Sequence, residues 1–418
     1  MGGRLPGKMA NTPTINLAMK TVKRTLPRTV TVVAVVSLLN ELSSQMVAPL
    51  IPILLASVLG AGPVALGLIE GTADAVASFL KLWSGRFSDR LGGRRKGLTV
   101  AGYTVSSVCR PFLGLAINWP MVLVLRSLDR IGKGIRSAPR DALVADATPQ
   151  EVRGYAYGFQ RALDYTGAVG GSLVAAAVLA WSSASIPQVI VYSAVPGLLA
   201  VLVLAVCLRE ETSSQAPVRK TPQGTLMWSA LPPPLRRFLA VLALFTFARA
   251  SETFILLRGH ELGISPVELL LLWALLCLIQ SVISVIGGKL ADRLRKASLV
   301  AFTWGTYGLS FLIFASVTTG AGLWLAVILY SLFSGMGEGV ERSFMSELAE
   351  PSTRGTAFGW YHMIGGIAAV PAGLLFGGIW HYTSAPWAFA VAGLLGLVAA
   401  LLMVSCVGRT LPSRGALE

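Results

Sequence analysis

Long apolar runs dominate this chain, broken at short intervals by polar or glycine-bearing turns. The runs fall at 30–58, 63–84, 97–116, 120–143, 152–180, 187–208, 237–258, 265–288, 297–317, 321–347, 354–380 and 386–407. Each is close to or longer than the ~20 residues that cross a bilayer's hydrocarbon core. The longest predict tilt, or extension beyond the membrane. One long polar stretch interrupts the series at 209–236, rich in Ser, Thr, Pro and charge, and reads as a linker. The pattern predicts an all-α integral membrane protein of twelve transmembrane helices in two six-helix bundles. The expected divisions are a basic tail at 1–29, bundles at 30–208 and 237–408, the linker at 209–236 and a short tail at 409–418.

Internal repetition supports two related halves. Gly85-Arg-Phe-Ser-Asp89-Arg90 after the second run recurs as Gly288-Lys-Leu-Ala-Asp292-Arg293 after the eighth. Arg153-Gly-Tyr-Ala-Tyr-Gly158 opens the fifth run, and Arg354-Gly-Thr-Ala-Phe-Gly359 opens the eleventh. Gly132-Lys133-Gly134 in the fourth is echoed by Gly337-Glu338-Gly339 in the tenth.

Composition narrows the class. Of the 418 residues, 54% are hydrophobic and only 13% charged, too few polar groups to cover a soluble protein of this size. The net charge of +15 would fit nucleic acid if it lay on a soluble face, but it is concentrated in alternate connections. Lys and Arg crowd the N-terminal tail, 86–96, 209–237, 289–296 and the C-terminus, whereas 59–63, 116–120, 181–188, 318–323 and 382–387 are almost uncharged. That alternation predicts both termini and the linker on the cytoplasmic side of a cytoplasmic (inner) membrane, with no nucleic-acid partner. Cys109, Cys207, Cys277 and Cys406 are isolated, so neither a disulfide framework nor a metal site is expected. No Walker A sequence or nucleophile–base constellation is present, so no ATP-driven or other enzyme chemistry and no cofactor is expected.

At Gly85, Asp89, Arg90, Gly92, Arg94 and Arg95 the loop after the second run resembles the G-x-x-x-D-R-x-G-x-R-R pattern of the major facilitator superfamily. With the span count, the resemblance covers essentially the whole chain. It implies transport by alternating access, two bundles rocking about a central site. It also implies that this loop, with its partner at Gly288, Asp292 and Arg293, docks one bundle against the other. The family's fourth-span pattern, Arg-x-x-x-Gly-x-Gly, is matched by Arg126 and Gly132, while Arg130 replaces the first glycine; the resemblance ties Arg126 to proton coupling. The family's antiporter pattern Gly-Pro-x-x-Gly-Gly keeps Gly170 and Gly171 but not the proline.

The residues themselves point to a charged interior. Arg126, Asp129, Arg130, Lys133, Arg136 and Arg140 share one face of the fourth span. A charge at the bilayer centre costs ~2.5–3.5 kcal/mol on insertion scales, so that face must meet protein or water. Two uses compete: contact with an anionic cargo, or fixed pairing with Asp129, Asp164 and the second-span acids. The tenth span carries the opposite sign at Glu338 and Glu341. Facing stripes of opposite sign would hold a zwitterion, or close a gate through contacts of the Lys133–Glu338 kind. Arg161 and Asp164 lie one turn apart in the fifth span and would pair with each other or with the fourth. Glu41, Asp74 and Glu252 are the coupling candidates, because desolvation of a cavity carboxyl favours its protonated form.

The expected function is secondary active transport of a small organic solute, proton-coupled, with export of an amphiphilic or anionic compound favoured, by a monomer in the lipid bilayer. Uptake or facilitated transport of an organic anion or metal chelate is the first alternative. A receptor or assembly factor that kept the fold but does not transport is the second.

Overall fold

The computed structural model describes residues 26–90, 95–149, 152–208, 228–349 and 354–407. Within them the chain is helical throughout, in twelve long rods. The first bundle comprises α1 (Arg28–Val58), α2 (Pro63–Arg90), α3 (Lys96–Phe112), α4 (Trp119–Ala147), α5 (Arg153–Trp181) and α6 (Ile186–Cys207). The second comprises α7 (Pro233–Glu261), α8 (Pro266–Arg293), α9 (Lys296–Ser316), α10 (Gly320–Leu348), α11 (Arg354–Tyr382) and α12 (Ala385–Val407). Ten are long and apolar enough to cross a membrane by composition alone. The exceptions are α3, which is only 17 residues long, and α4, whose charged face breaks the apolar run.

Local chemistry sets where these helices start and bend. Asn118 accepts a hydrogen bond from the Met121 N–H at 3.0 Å and caps α4, and Ser265 with Glu268 forms a capping box on α8. In α1, Pro49 and Pro52 cannot donate to the helical ladder, and the rod tightens to a 3-10 turn at Ala48–Leu50 before widening at Leu54–Val58. In α7 the helix stops after Ala248 and restarts at Thr253. Tyr307 of α9 bridges that break: its hydroxyl donates to the Ala248 carbonyl at 3.0 Å and accepts from the Ala250 N–H at 3.1 Å. Irregular backbone at membrane depth is tolerated where its polar groups are satisfied in this way.

The two halves meet mainly through α2 against α11 and α5 against α8. At the first contact the backbones touch: a Cβ on Gly67 would lie 2.1 Å from the Gly373 carbonyl oxygen, and one on Gly377 would lie 2.4 Å from that of Pro63. These contacts lie at the ends of the helices farthest from the chain termini. There too the buried segment 48–55 of α1 packs against 253–257 of α7, inside one apolar core shared by both halves. The opposite end of the first bundle has its own separate core, around Val30, Val33, Tyr103, Val144 and Leu204. The halves are therefore sealed against each other at one end, the one opposite the face at which α1 begins and α12 ends.

The duplication is visible in side chains as well. Arg95, ahead of α3, pairs with Asp146 at the end of α4. Lys296, at the start of α9, pairs with Glu347 at the end of α10 at 3.0 Å. Gly85, Asp89 and Arg90 fall in the last turns of α2, and Gly288, Asp292 and Arg293 in those of α8. Their side chains, that of Glu338, and residues Gly92 and Arg94 lie outside the described residues, as does 209–227.

Candidate functional site

Eight helices converge on a central cavity of about 560 Å³: α1, α2, α4 and α5 from one half face α7, α8, α9 and α10 from the other across its width. An adjoining cleft of about 280 Å³ between α2, α7 and α11 shares Glu70, Asp74, Arg249 and Ser251 with it. Lys81, Arg342 and His362 line that cleft.

The charged face of α4 divides into two sets. Arg126 is bound to Glu70 of α2 at two points, with Nε to Oε1 at 3.1 Å and Nη2 to Oε2 at 3.2 Å. Asp129 receives Arg110 Nε of α3 at 2.9 Å and lies 3.6 Å from Arg126 Nη1. Arg110 also donates to the Asn40 carbonyl at 3.2 Å and the Ser43 hydroxyl at 3.3 Å. All four charged groups of this cluster are at most 4% exposed. A buried pair of this kind is costly to break from one side, because the remaining charge has no water. Farther along α4, Arg136 donates to Ser106 at 2.6 Å and stacks over the Tyr103 ring at 4.6 Å. Arg140 donates to Asp141 at 2.9 Å and lies 3.9 Å from Asp164 of α5.

Arg130 and Lys133 form the other set. Both line the cavity, and neither has a hydrogen bond or an ion pair within 4.0 Å among the described residues. Arg130 Nε is buried and unsatisfied. The acids in electrostatic reach are Asp74 and Asp129 for Arg130, and Glu41 and Asp74 for Lys133. Asp74 lines the same wall. Glu41 sits on α1, takes a 3.4 Å hydrogen bond from Asn40 and does not line the cavity. Arg161 lines the wall from α5, its guanidinium over the Tyr165 ring at 5.1 Å.

The opposite wall is acidic and aromatic. Glu341 is fully buried and held by Trp304 Nε1 at 2.8 Å, the Tyr361 hydroxyl at 2.9 Å and Arg249 at 3.5 Å. Glu252 sits in the break of α7 and accepts from Gln280 Nε2 at 2.7 Å and the Tyr330 hydroxyl at 2.8 Å, both on Oε1. The cavity's sealed end is bridged by Trp273 Nε1 of α8 donating to Gln45 Oε1 of α1 at 2.9 Å, a hydrogen bond between the halves.

Of the residues marked in the sequence, Asp74, Arg126, Arg130, Lys133, Arg161, Glu252 and Glu341 thus meet around one cavity. Asp129 and Asp164 stand behind its wall in pairs with arginines. The sequence reading did not single out Arg110, Gln280, Trp304, Tyr330 or Tyr361, which bind the key acids. Arg110 offered a signal, being a lone cation within the short apolar run of α3. The aromatics and Gln280 offered none, since such residues are common in apolar helices.

Comparison with known proteins agrees with this architecture. The profile of the Major Facilitator Superfamily matches residues 33–370 and, overlapping, 253–417. An uncharacterized MFS-type transporter of Methanocaldococcus jannaschii is 30% identical over 390 residues, 91% of this chain and 95% of that protein. Among solved structures, a bacterial homologue of the human lysosomal transporter Spinster, inward-facing and occupied, aligns with a TM-score of 0.72 at 15% identity, over 92% of this chain and 96% of its own. The human organic anion transporter MFSD10 aligns at 0.63 and 20% identity, over 90% and 99%. At these identities the two structures share the fold.

Proposed function

This chain belongs to the major facilitator superfamily of transporters, and on that premise we propose that it exports a small amphiphilic or anionic organic solute in exchange for protons. One observation carries the reading: Arg130 and Lys133 face the cavity with no ion pair among the described residues, while the other charges of α4 are committed to protein partners. Two cations at hydrogen-bonding reach of a cargo suit a carboxylate or phosphate group, which gains charge-assisted bonds there. Aromatic groups on the facing wall suit an apolar body.

The exchange partner is a proton taken up at a cavity carboxyl. Glu252 has the best setting, because its two hydrogen-bond donors are neutral and leave it able to hold a proton without breaking an ion pair. Asp74 on the cavity wall is the second candidate, and Glu41, behind it on α1, the third. With the basic connections cytoplasmic, as the positive-inside rule predicts, the sealed end is the outer one and cargo enters from the cytoplasm. Parting the sealed end while the halves close on the cytoplasmic side would then deliver it outside.

The test is a proton-exchange assay in proteoliposomes preloaded with an anionic amphiphile and an entrapped pH dye. Cargo efflux is expected to acidify the lumen in the wild type, and Glu252→Gln is expected to abolish the acidification. Efflux without any change of luminal pH in the wild type would remove the proton from the account.

A further inference from the structure

The charges of the central cavity leave two unmatched poles on opposite walls. On one side stand Arg130 and Lys133, without a hydrogen bond or ion pair among the described residues. On the other stands Glu252. Both of its hydrogen bonds arrive at Oε1 from uncharged donors, and among the described residues no cation lies within 4.0 Å of its carboxylate. Glu341 on the same wall differs, being taken by Arg249, Trp304 and Tyr361.

Aromatic rings continue the wall from Glu252. Tyr330 and Tyr307 are 6.1 Å apart between centroids, Tyr307 and Phe245 5.3 Å, and Phe245 and Trp304 4.4 Å. All four rings line the cavity. A carboxylate beside aromatic faces is the chemistry that recognises an organic ammonium, by charge and by cation–π attraction. Guanidinium and ammonium groups opposite recognise a carboxylate or a phosphate.

We propose that the cargo is an organic zwitterion. Its anionic group sits at Arg130 and Lys133, its ammonium lies against Glu252 and Tyr330, and an apolar or aromatic body spans between them. This rests on the reading of the cavity as the transport site, and deepens it. A simple anion would leave a charged Glu252 without a cation in contact, and a simple cation would leave Arg130 and Lys133 without an acid in contact among the described residues; a dipolar molecule satisfies both walls. A volume of about 560 Å³ is within the range that encloses a drug-sized molecule. A carboxylate that takes the cargo's ammonium gives up its proton, so the two occupants exclude each other, as exchange requires.

Three probes with one body and different charge test this on the full chain in lipid nanodiscs by calorimetry. L-Tryptophan is the zwitterion, its methyl ester the cation and N-acetyl-L-tryptophan the anion. Tryptophan is expected to bind at least about tenfold tighter than either analogue, and Glu252→Gln to bring it within about threefold of the N-acetyl form. Tryptophan binding no tighter than N-acetyltryptophan, with both lost in Lys133→Ala, overturns the zwitterion and leaves the anion exporter standing. Binding of every probe unaffected by both Lys133→Ala and Arg130→Ala overturns the two readings together. Preference for the methyl ester, or no binding of any of the three at millimolar concentration, also overturns the zwitterion. The wild-type series decides the class even if a variant fails to fold.

Discussion

Arg126 holds Glu70 by two parallel bonds, at 3.1 and 3.2 Å, across the interface of α4 and α2. Both side chains are sealed from solvent, so the pair acts as a structural bolt in the cavity wall. Arg126→Ala is expected to cost about 3–5 kcal/mol of stability, because Glu70 is left charged and buried. The double variant Arg126→Leu with Glu70→Leu is expected to recover most of it. Thermal unfolding of the purified protein in detergent reads both. A single variant as stable as wild type would show that the pair holds nothing.

The break in α7 depends on one hydroxyl. Tyr307 satisfies the carbonyl of Ala248 and the N–H of Ala250 where the ladder is interrupted. Tyr307→Phe keeps the ring packing and strands those two groups, at an expected cost of about 1–3 kcal/mol. The same melting assay measures it, and an unchanged melting temperature would mean that the break is held elsewhere.

The sealed end rests on bare backbone contact. A side chain at Gly67 collides with the Gly373 carbonyl, so Gly67→Val must push α2 and α11 apart. Overpacking of this kind costs about 1–3 kcal/mol, enough to shift a two-state equilibrium roughly 5- to 150-fold. The reporter is Ala48→Cys, buried at the seal, in a background with the four native cysteines replaced by serine. Labelling by a membrane-impermeant maleimide from the sealed side is expected to accelerate in Gly67→Val. An unchanged rate would mean that this contact does not keep the end closed.

Much of this was legible in the chain before its structure. Apolar runs near membrane thickness and the repeated Gly85 and Gly288 turns announce twelve spans in two halves, because a helix in lipid must satisfy its backbone within itself. The one-sided charges of α4 announce an interior. Which of those charges are spent was not legible. Arg126 and Arg130 are one turn apart and chemically identical, yet Glu70 approaches only the first, a fact set by how α2 crosses α4. The glycines show the same limit. Gly170 and Gly171 read as a pair, whereas the contact with α1 is made by Gly167 and Gly171, one turn apart, against the carbonyls of Leu38 and Leu42. Gly132 packs on Gly102 of α3, but its echo Gly337 has open space beside it, so a repeated sequence does not carry a repeated contact.

The central claim is that Arg130 and Lys133 receive the anionic group of the cargo, and thermal stabilisation by a panel of organic anions, cations and zwitterions tests it most directly. A ligand at a hundred times its Kd adds about 2.7 kcal/mol to the folded state. The account predicts that compounds bearing a carboxylate or phosphate raise the melting temperature of the wild type, and that Arg130→Ala and Lys133→Ala each remove most of that rise. Stabilisation by cations alone, or anion stabilisation that survives both substitutions, would contradict it.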